Sequence, residues 1–292
     1  MKYKNARDFR KALESRLRNL NQKTGIPHTR LRKMIAFDRF LARLIQYQPD
    51  NWVLKGGFAL QLRLGNRART TKDIDLLAMN DIEILPSIRE AGYLELGDWF
   101  TFEIIQSTEP IRENTEARRY KIESRLDGRI FENFHLDVGV GDPIIGKVEL
   151  LTTPDLLSFA EVKRVHMPCY PIPQQIAEKL HAYTRPHKSG ISSRVKDFVD
   201  ILLLAGLGEI KKSELQLGVQ ATFDNAGTHS LPPNLPPPPK RWAQSYKEMI
   251  RTLDLDEISL EEAYIALQNF LNPVLLVETE DAIWNPSEWR WE

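Results

Sequence analysis

The sequence predicts an α+β protein in two lobes, a mixed sheet with helices followed by a mainly helical C-terminal lobe. Three observations predict it. Short runs rich in β-branched and aromatic residues (WVLK, DIDLL, FTFEII, RRYKI, HLDVGVGD) recur between helical stretches up to about residue 142. From about residue 173 the apolar spacing becomes helical, three or four residues apart. Between these regions lies a connector studded with Pro168, Pro171 and Pro173. The division is drawn as residues 1–150, the sheet lobe with basic N-terminal helices, and 151–292, a helical lobe with a Pro-rich strap at 231–239.

In chain order, residues 5–21 read as an amphipathic helix, with Phe9, Leu13, Leu17 and Leu20 on one face. A second helix runs from His28 to Tyr47, with an apolar face of Leu31, Met34, Ile35, Leu41, Leu44 and Ile45. Its basic face holds Arg30, Arg32, Lys33, Arg39 and Arg43. The two helices read as a prop behind the first strand, as an RNA-facing surface, or as both. Trp52–Met79 then reads as strand, Gly-Gly turn, short helix, basic loop and second strand. Asp81–Ala91 reads as a helix stopped by Gly92. Strands follow at Phe100–Ile105, Arg118–Ile122 and 135–142, then a short helix near Pro154–Phe159. Two strong helices cover Pro173–Thr184 and Ser192–Ala205, the second stopped by Gly206 and the two joined by a basic linker, RPHKSG. A helix near 213–224 precedes LPPNLPPPP, which is extended because proline cannot sit in a helix interior or a central strand. Helices near 240–252 and 259–271 lead to a tail whose Trp284, Trp289 and Trp291 are expected to pack down.

One cysteine, Cys169, excludes an intramolecular disulfide and argues against a cysteine zinc site. No stretch approaches the roughly 20 apolar residues of a membrane span. The N-terminus lacks a secretory apolar run, and a cytoplasmic protein without membrane contact is expected. Net charge is zero but uneven: residues 1–72 carry 18 Lys/Arg against 4 Asp/Glu, and residues 252–292 carry one Arg against 10 Asp/Glu. A basic front end fits contact with nucleic acid; it also fits two oppositely charged lobes or solvated helix faces.

The chemistry concentrates in Trp52–Met79. Asp73 and Asp75 are two apart on a strand and so face one way, while Ile74 and Leu76 face the core. Two crowded carboxylates call for a cation, and hard oxygen ligands favour magnesium, as one ion or two. Asp137, between Leu136 and Val138, reads as a third metal ligand or as an ordinary exposed residue of a half-buried strand. The Gly56-Gly57 turn ahead of a helix offers backbone N–H groups to phosphate. Metal with phosphate suggests nucleotidyl transfer from an NTP, which needs cations for the triphosphate. Lys55, Lys72, Lys179, Arg194 and Lys196 are the candidates. Walker, kinase, HExxH and G-x-S-x-G signatures are absent from the sequence.

The ordered set LKGGFAL, TTKDIDL, HLDV, QQIAEKLHA and SRVKDFVDI resembles the AbiEii-type nucleotidyltransferase toxins of bacterial toxin–antitoxin systems, MenT-like members of the DNA polymerase β nucleotidyltransferase superfamily. The resemblance covers about residues 50–275. It implies a nucleotidyltransferase lobe, a helical lobe and a site in the cleft. It places catalytic or nucleotide-contacting roles on Asp73, Asp75, Lys179 and Asp197. Gly56, Gly57, Gln174, Glu178, Ala182, Arg194, Lys196 and Asp200 fall on the same motifs. It implies transfer of NMP from an NTP to RNA, tRNA in particular, by a toxin of an abortive-infection system with an antitoxin encoded nearby. In one respect the chain departs: many members carry Ser or Thr at or just after the glycine turn, where this chain has Phe58. Thr70 and Thr71 are the hydroxyls considered as substitutes. Two other readings remain open: transfer to a protein or small molecule, and a nucleotide-binding regulator without catalysis.

Overall fold

A computed structural model describes residues 2–80, 82–107, 117–186, 194–253, 258–276 and 281–292. Two helices open the chain. α1 (Ala6–Thr24) is capped by Asn5, whose side chain accepts from the Asp8 N–H, and ends on left-handed Gly25. α2 (His28–Tyr47) follows. Then come β1 (Trp52–Lys55), α3 (Gly56–Leu64), β2 (Asp73–Ala78), α4 (Ile84–Tyr93), β3 (Phe100–Ser107), β4 (Arg118–Leu126), β5 (Arg129–Val140), β6 (Glu149–Thr152) and β7 (His166–Cys169). The remainder is α5 (Ile172–Thr184), α6 (Val195–Ala205), β8 (Ile210–Lys211), α7 (Lys212–Ala226), α8 (Ala243–Thr252), α9 (Leu260–Leu275), β9 (Ile283–Asn285) and β10 (Arg290–Trp291). The mixed α/β architecture with a helix-rich C-terminal part is the class that the sequence pattern predicts.

The chain divides into two compact units. The first comprises residues 1–66, 70–141 and 149–169; the second comprises 67–69, 142–148 and 170–292. Among the described residues, the first unit holds a seven-stranded sheet of order β3-β4-β5-β2-β1-β7-β6. β2 runs parallel to β5 and β1 parallel to β7, with the other neighbours antiparallel. The sequence reading draws the line at 150, but β6 and β7 complete this sheet. They escaped notice because each has four residues and β7 contains Pro168, which argues against a paired strand.

Alternation sorts the sheet's faces. Ile74 and Leu76 of β2, Tyr120 and Ile122 of β4, and Leu136 and Val138 of β5 all point into one core. Phe9, Leu13 and Leu17 of α1 and Leu31, Phe37, Phe40 and Leu41 of α2 fill the same core. α4 runs through Gly92 to Tyr93, so Gly92 is no stop. A Cβ there would lie 3.0 Å from the Phe102 carbonyl oxygen, so the glycine lets α4 approach β3.

The basic face of α2 is turned inward, which decides between prop and RNA surface for this helix. Arg43 is fully buried; its Nη2 donates to Asp98 Oδ1 at 2.6 Å and to the Phe100 carbonyl at 2.7 Å. Arg39 binds Asp38 and the Lys163 carbonyl. Arg30 donates to Gly65, Arg32 to Glu14 and Phe131, and Lys33 to the Asn133 carbonyl. The charges that read as a nucleic-acid face instead fix α2 to the sheet lobe.

In the second unit, α5 packs on α6 and α7. The strap at 231–239 is tied down: Tyr183 donates to the Pro236 carbonyl at 2.6 Å, Tyr264 to the Leu235 carbonyl at 2.9 Å, and Leu235 N–H to Asn272. The tail packs as expected. Trp284 is fully buried and donates to the Ala205 carbonyl, and Trp291 stacks on Phe270. The Ser192 start expected for the second strong helix, and residues 187–190 of the RPHKSG linker, lie outside the described residues.

Candidate functional site

The glycine turn and the acidic strand meet in the first unit. Gly56 opens α3 with φ of +65°, a left-handed value that L side chains rarely adopt. A Cβ at Gly56 would overlap the Asp75 carboxylate and lie 2.8 Å from the Asp75 Cβ. Because even the Asp75 Cβ is too close, no rotamer of Asp75 relieves the clash. Position 56 is therefore glycine both for its backbone and for the space Asp75 occupies. Gly56→Ala is expected to cost about 1–3 kcal/mol. It should lower any activity that depends on Asp75 by at least ~10-fold, checked by thermal melting beside a nucleotide-transfer assay.

Asp73 and Asp75 share the sheet face opposite the core and are both half-buried. His135, the register partner of Asp73, places Nδ1 3.1 Å from Asp73 Oδ1. Asp137 lies beside Asp75 in the parallel ladder. Its two oxygens accept from Arg119, Nε at 2.7 Å and Nη2 at 2.6 Å. The Asp137 contact first, and then the fields of Asp73 and Asp75, hold the Arg119 proton more tightly than usual against the desolvation that opposes them. Among the described residues no group of three His, Cys, Asp or Glu side chains is arranged to hold a metal ion. Asp73 and Asp75 fit magnesium as paired oxygen donors on one rigid strand, whereas the oxygens of Asp137 are engaged by Arg119.

Of the other residues predicted here, Gly57 is buried in the first turn of α3, Lys55 is half-buried in register with Asp75, and Lys72 is exposed. Phe58 does not face the glycine turn's N–H groups. It is fully buried and meets Phe37 edge-on, ring centroids 4.9 Å apart. The Thr71 hydroxyl donates to the Asp73 carbonyl at 3.2 Å, so it braces the start of β2. Phe58→Ser is expected to destabilise the protein by about 3–5 kcal/mol, since a core aromatic is lost; chemical denaturation measures this.

The second unit holds a separate charge cluster. On α6, Asp197 and Asp200 are three apart and so share a face. Lys179 of α5 lies between them, Nζ 3.1 Å from Asp197 Oδ1 and 2.9 Å from Asp200 Oδ2. Arg69 grips Asp200 through Nε at 3.0 Å and Nη2 at 2.8 Å. Arg194, at the N-cap of α6, reaches Asp197 at 3.4 Å, while Lys196 is exposed. Burial alone would raise the fully buried Asp200, but Lys179 and Arg69 overcome it and hold its carboxyl below the usual range. Burial would lower Lys179, but Asp200 and Asp197 hold it above the usual lysine value. Lys179 is therefore a charged ammonium at any physiological pH. Gln174 donates to Thr222 and so joins α5 to α7; Glu178 is half-buried.

Arg69 and Arg119 are the residues that sequence reading missed. Arg69 meets an aspartate 131 positions away, which no local pattern records. For Arg119 a signal existed, because the Asp127-Gly128 turn sets the β4–β5 hairpin. A one-residue irregularity in the ladder, between Ser124 and Arg125, then decides that Arg119 and not Arg118 faces Asp137.

A sheet carrying an in-line carboxylate pair behind a glycine-opened helix is the arrangement expected of a nucleotidyltransferase. The family model for the nucleotidyl transferase AbiEii toxin of type IV TA systems matches residues 39–272, and the chain belongs to that family; it is a nucleotidyltransferase. Among solved structures, the chain is similar to MenT4, a nucleotidyltransferase toxin from Mycobacterium tuberculosis, at 18% identity and a TM-score of 0.55. That match covers 90% of this chain and 97% of the other; the likeness is one of fold. It is also similar to JHP933 from Helicobacter pylori, at 16% identity and a TM-score of 0.39, over 81% of this chain and 87% of the other. No curated protein matches the chain. Among the described residues no helix is long and apolar enough to cross a membrane.

Proposed function

We propose that this protein transfers NMP from an NTP to an RNA acceptor, tRNA in particular, in a magnesium-dependent reaction, and that it acts as a toxin restrained by an antitoxin encoded nearby. The observation that carries the reading is the close approach of the glycine turn to Asp75, whose carboxylate a Cβ at Gly56 would overlap. Asp73 and Asp75 would hold the ion. When bound, magnesium supplies a Lewis acid for the phosphate oxygens. Gly56 and Gly57 offer backbone N–H groups to the phosphates, with Lys55 and Lys72 as nearby cations. In the second unit, Lys179 is a fixed positive charge required for transfer, kept in position by Asp197 and Asp200. Arg194 and Lys196 add charge at the start of α6.

Surface charge supports an RNA acceptor. With the arginines of α2 turned inward, Arg7, Lys11 and Arg18 of α1 are among the exposed cations of the first unit that could meet phosphates. Induced expression followed by sequencing of tRNA 3′ ends tests the reading. Wild type should arrest growth and add nucleotides to those ends, and Lys179→Ala should do neither. Unaltered RNA together with nucleotide-labelled lysate protein would move the acceptor to protein. Growth arrest by Lys179→Ala equal to wild type would contradict the proposed role of Lys179.

A further inference from the structure

One face of the sheet carries four charges in a single row across four strands. Arg119 of β4 stands opposite Asp137 of β5, Asp137 beside Asp75 of β2, and Asp75 opposite Lys55 of β1. Neighbouring strands lie about 4.8 Å apart, so the row reads plus, minus, minus, plus. Two residues along, the next row on this face holds Lys121, His135 and Asp73. The two rows place the carboxylates Asp73 and Asp75 together on β2, with Asp137 between Asp75 and Arg119.

The Arg119–Asp137 pair is a two-pronged one, at 2.7 and 2.6 Å. Such a fork engages both oxygens of the carboxylate and fixes the plane of the guanidinium. The arginine is the more exposed partner, 39% against 18% for the aspartate side chain. The arginine side chain is thus the one more open to an arriving anion.

We propose that Asp137 is a positioning residue for Arg119 rather than a metal ligand, and that Arg119 is a fixed cation that binds the nucleotide's phosphates beside the Asp73–Asp75 pair. This rests on the nucleotidyl-transfer reading. The division of labour follows from charge. The Asp137–Arg119 pair is neutral as a unit and adds no attraction for a divalent ion, which leaves Asp73 and Asp75 to hold it. A planar fork matches phosphate geometry, so lysine is a poor replacement at 119.

Calorimetric titration of the full chain tests this, with Mn²⁺ alone as one probe and ATP, CTP, GTP and UTP without metal as the others. Circular dichroism confirms that each variant is folded. Asp75→Asn should abolish Mn²⁺ binding. Asp137→Asn should leave the Mn²⁺ affinity within about threefold of wild type and weaken the preferred NTP about tenfold, as the fork is lost. Arg119→Gln and Arg119→Lys should each weaken that NTP about tenfold without weakening Mn²⁺. A tenfold or greater loss of Mn²⁺ affinity in folded Asp137→Asn makes Asp137 a ligand and overturns the proposal. So does unchanged NTP affinity in both Arg119 variants. Undiminished Mn²⁺ binding in Asp75→Asn fails the underlying reading instead, and the proposal with it.

Discussion

Asp75→Asn is expected to lower nucleotidyl transfer on the order of 10³-fold while leaving the fold intact. The amide is nearly isosteric, so the tight approach to Gly56 survives. The core is untouched because Ile74 and Leu76, not Asp75, face it. What is lost is one of the two negative charges that a divalent ion needs. The measurement is initial rate against magnesium concentration, with thermal melting as the control for folding. A variant that melts like wild type and transfers within about threefold of it would remove Asp75 from the chemistry.

In the second unit's charge cluster, Asp200→Ala is expected to destabilise the protein by about 3–5 kcal/mol, because it leaves Lys179 and Arg69 without their shared carboxylate. For a chain of this size that lowers Tm by roughly 10 °C. The pH dependence has a definite sign. The Asp200 carboxyl is held below its usual value in the fold, so its contribution is present above about pH 4, the unfolded value, and is lost as pH falls through the lower native one. Lys179 is raised, so its contribution is full below about pH 10 and is lost as pH rises through its native value. Wild type should therefore lose stability on the acid side more steeply than Asp200→Ala, measured by urea unfolding from pH 3 to 7. Equal acid slopes would show that Asp200 is not the titrating group.

Part of each unit's charge cluster was legible in the sequence because it obeys local periods. Asp73 and Asp75 share a face by strand alternation, and Asp197 and Asp200 by helical spacing. Gly56 was legible as a turn residue, but its tight approach to Asp75 is a contact across 19 residues. Helical spacing likewise found the basic face of α2 without finding Asp98, the buried acid that turns Arg43 inward. Phe58 looked like a departure within the glycine motif because the motif reads residues in line. Helix α3 instead rotates that side chain into the core against Phe37. Arg119 was hidden by the one-residue irregularity in the hairpin, which changes which arginine faces Asp137. Local chemistry was readable, and the cations that complete it depended on long-range pairing.

We propose above all that the paired carboxylates on β2 carry metal-dependent nucleotidyl transfer to RNA. The most direct test incubates the purified chain with each α-labelled NTP and total RNA, in magnesium or in EDTA, beside the Asp73→Asn/Asp75→Asn double variant. Label in tRNA is expected for wild type in magnesium alone, and none with EDTA or with the double variant. Label that persists in the folded double variant, or wild type that labels no RNA with any of the four nucleotides, would contradict this proposal.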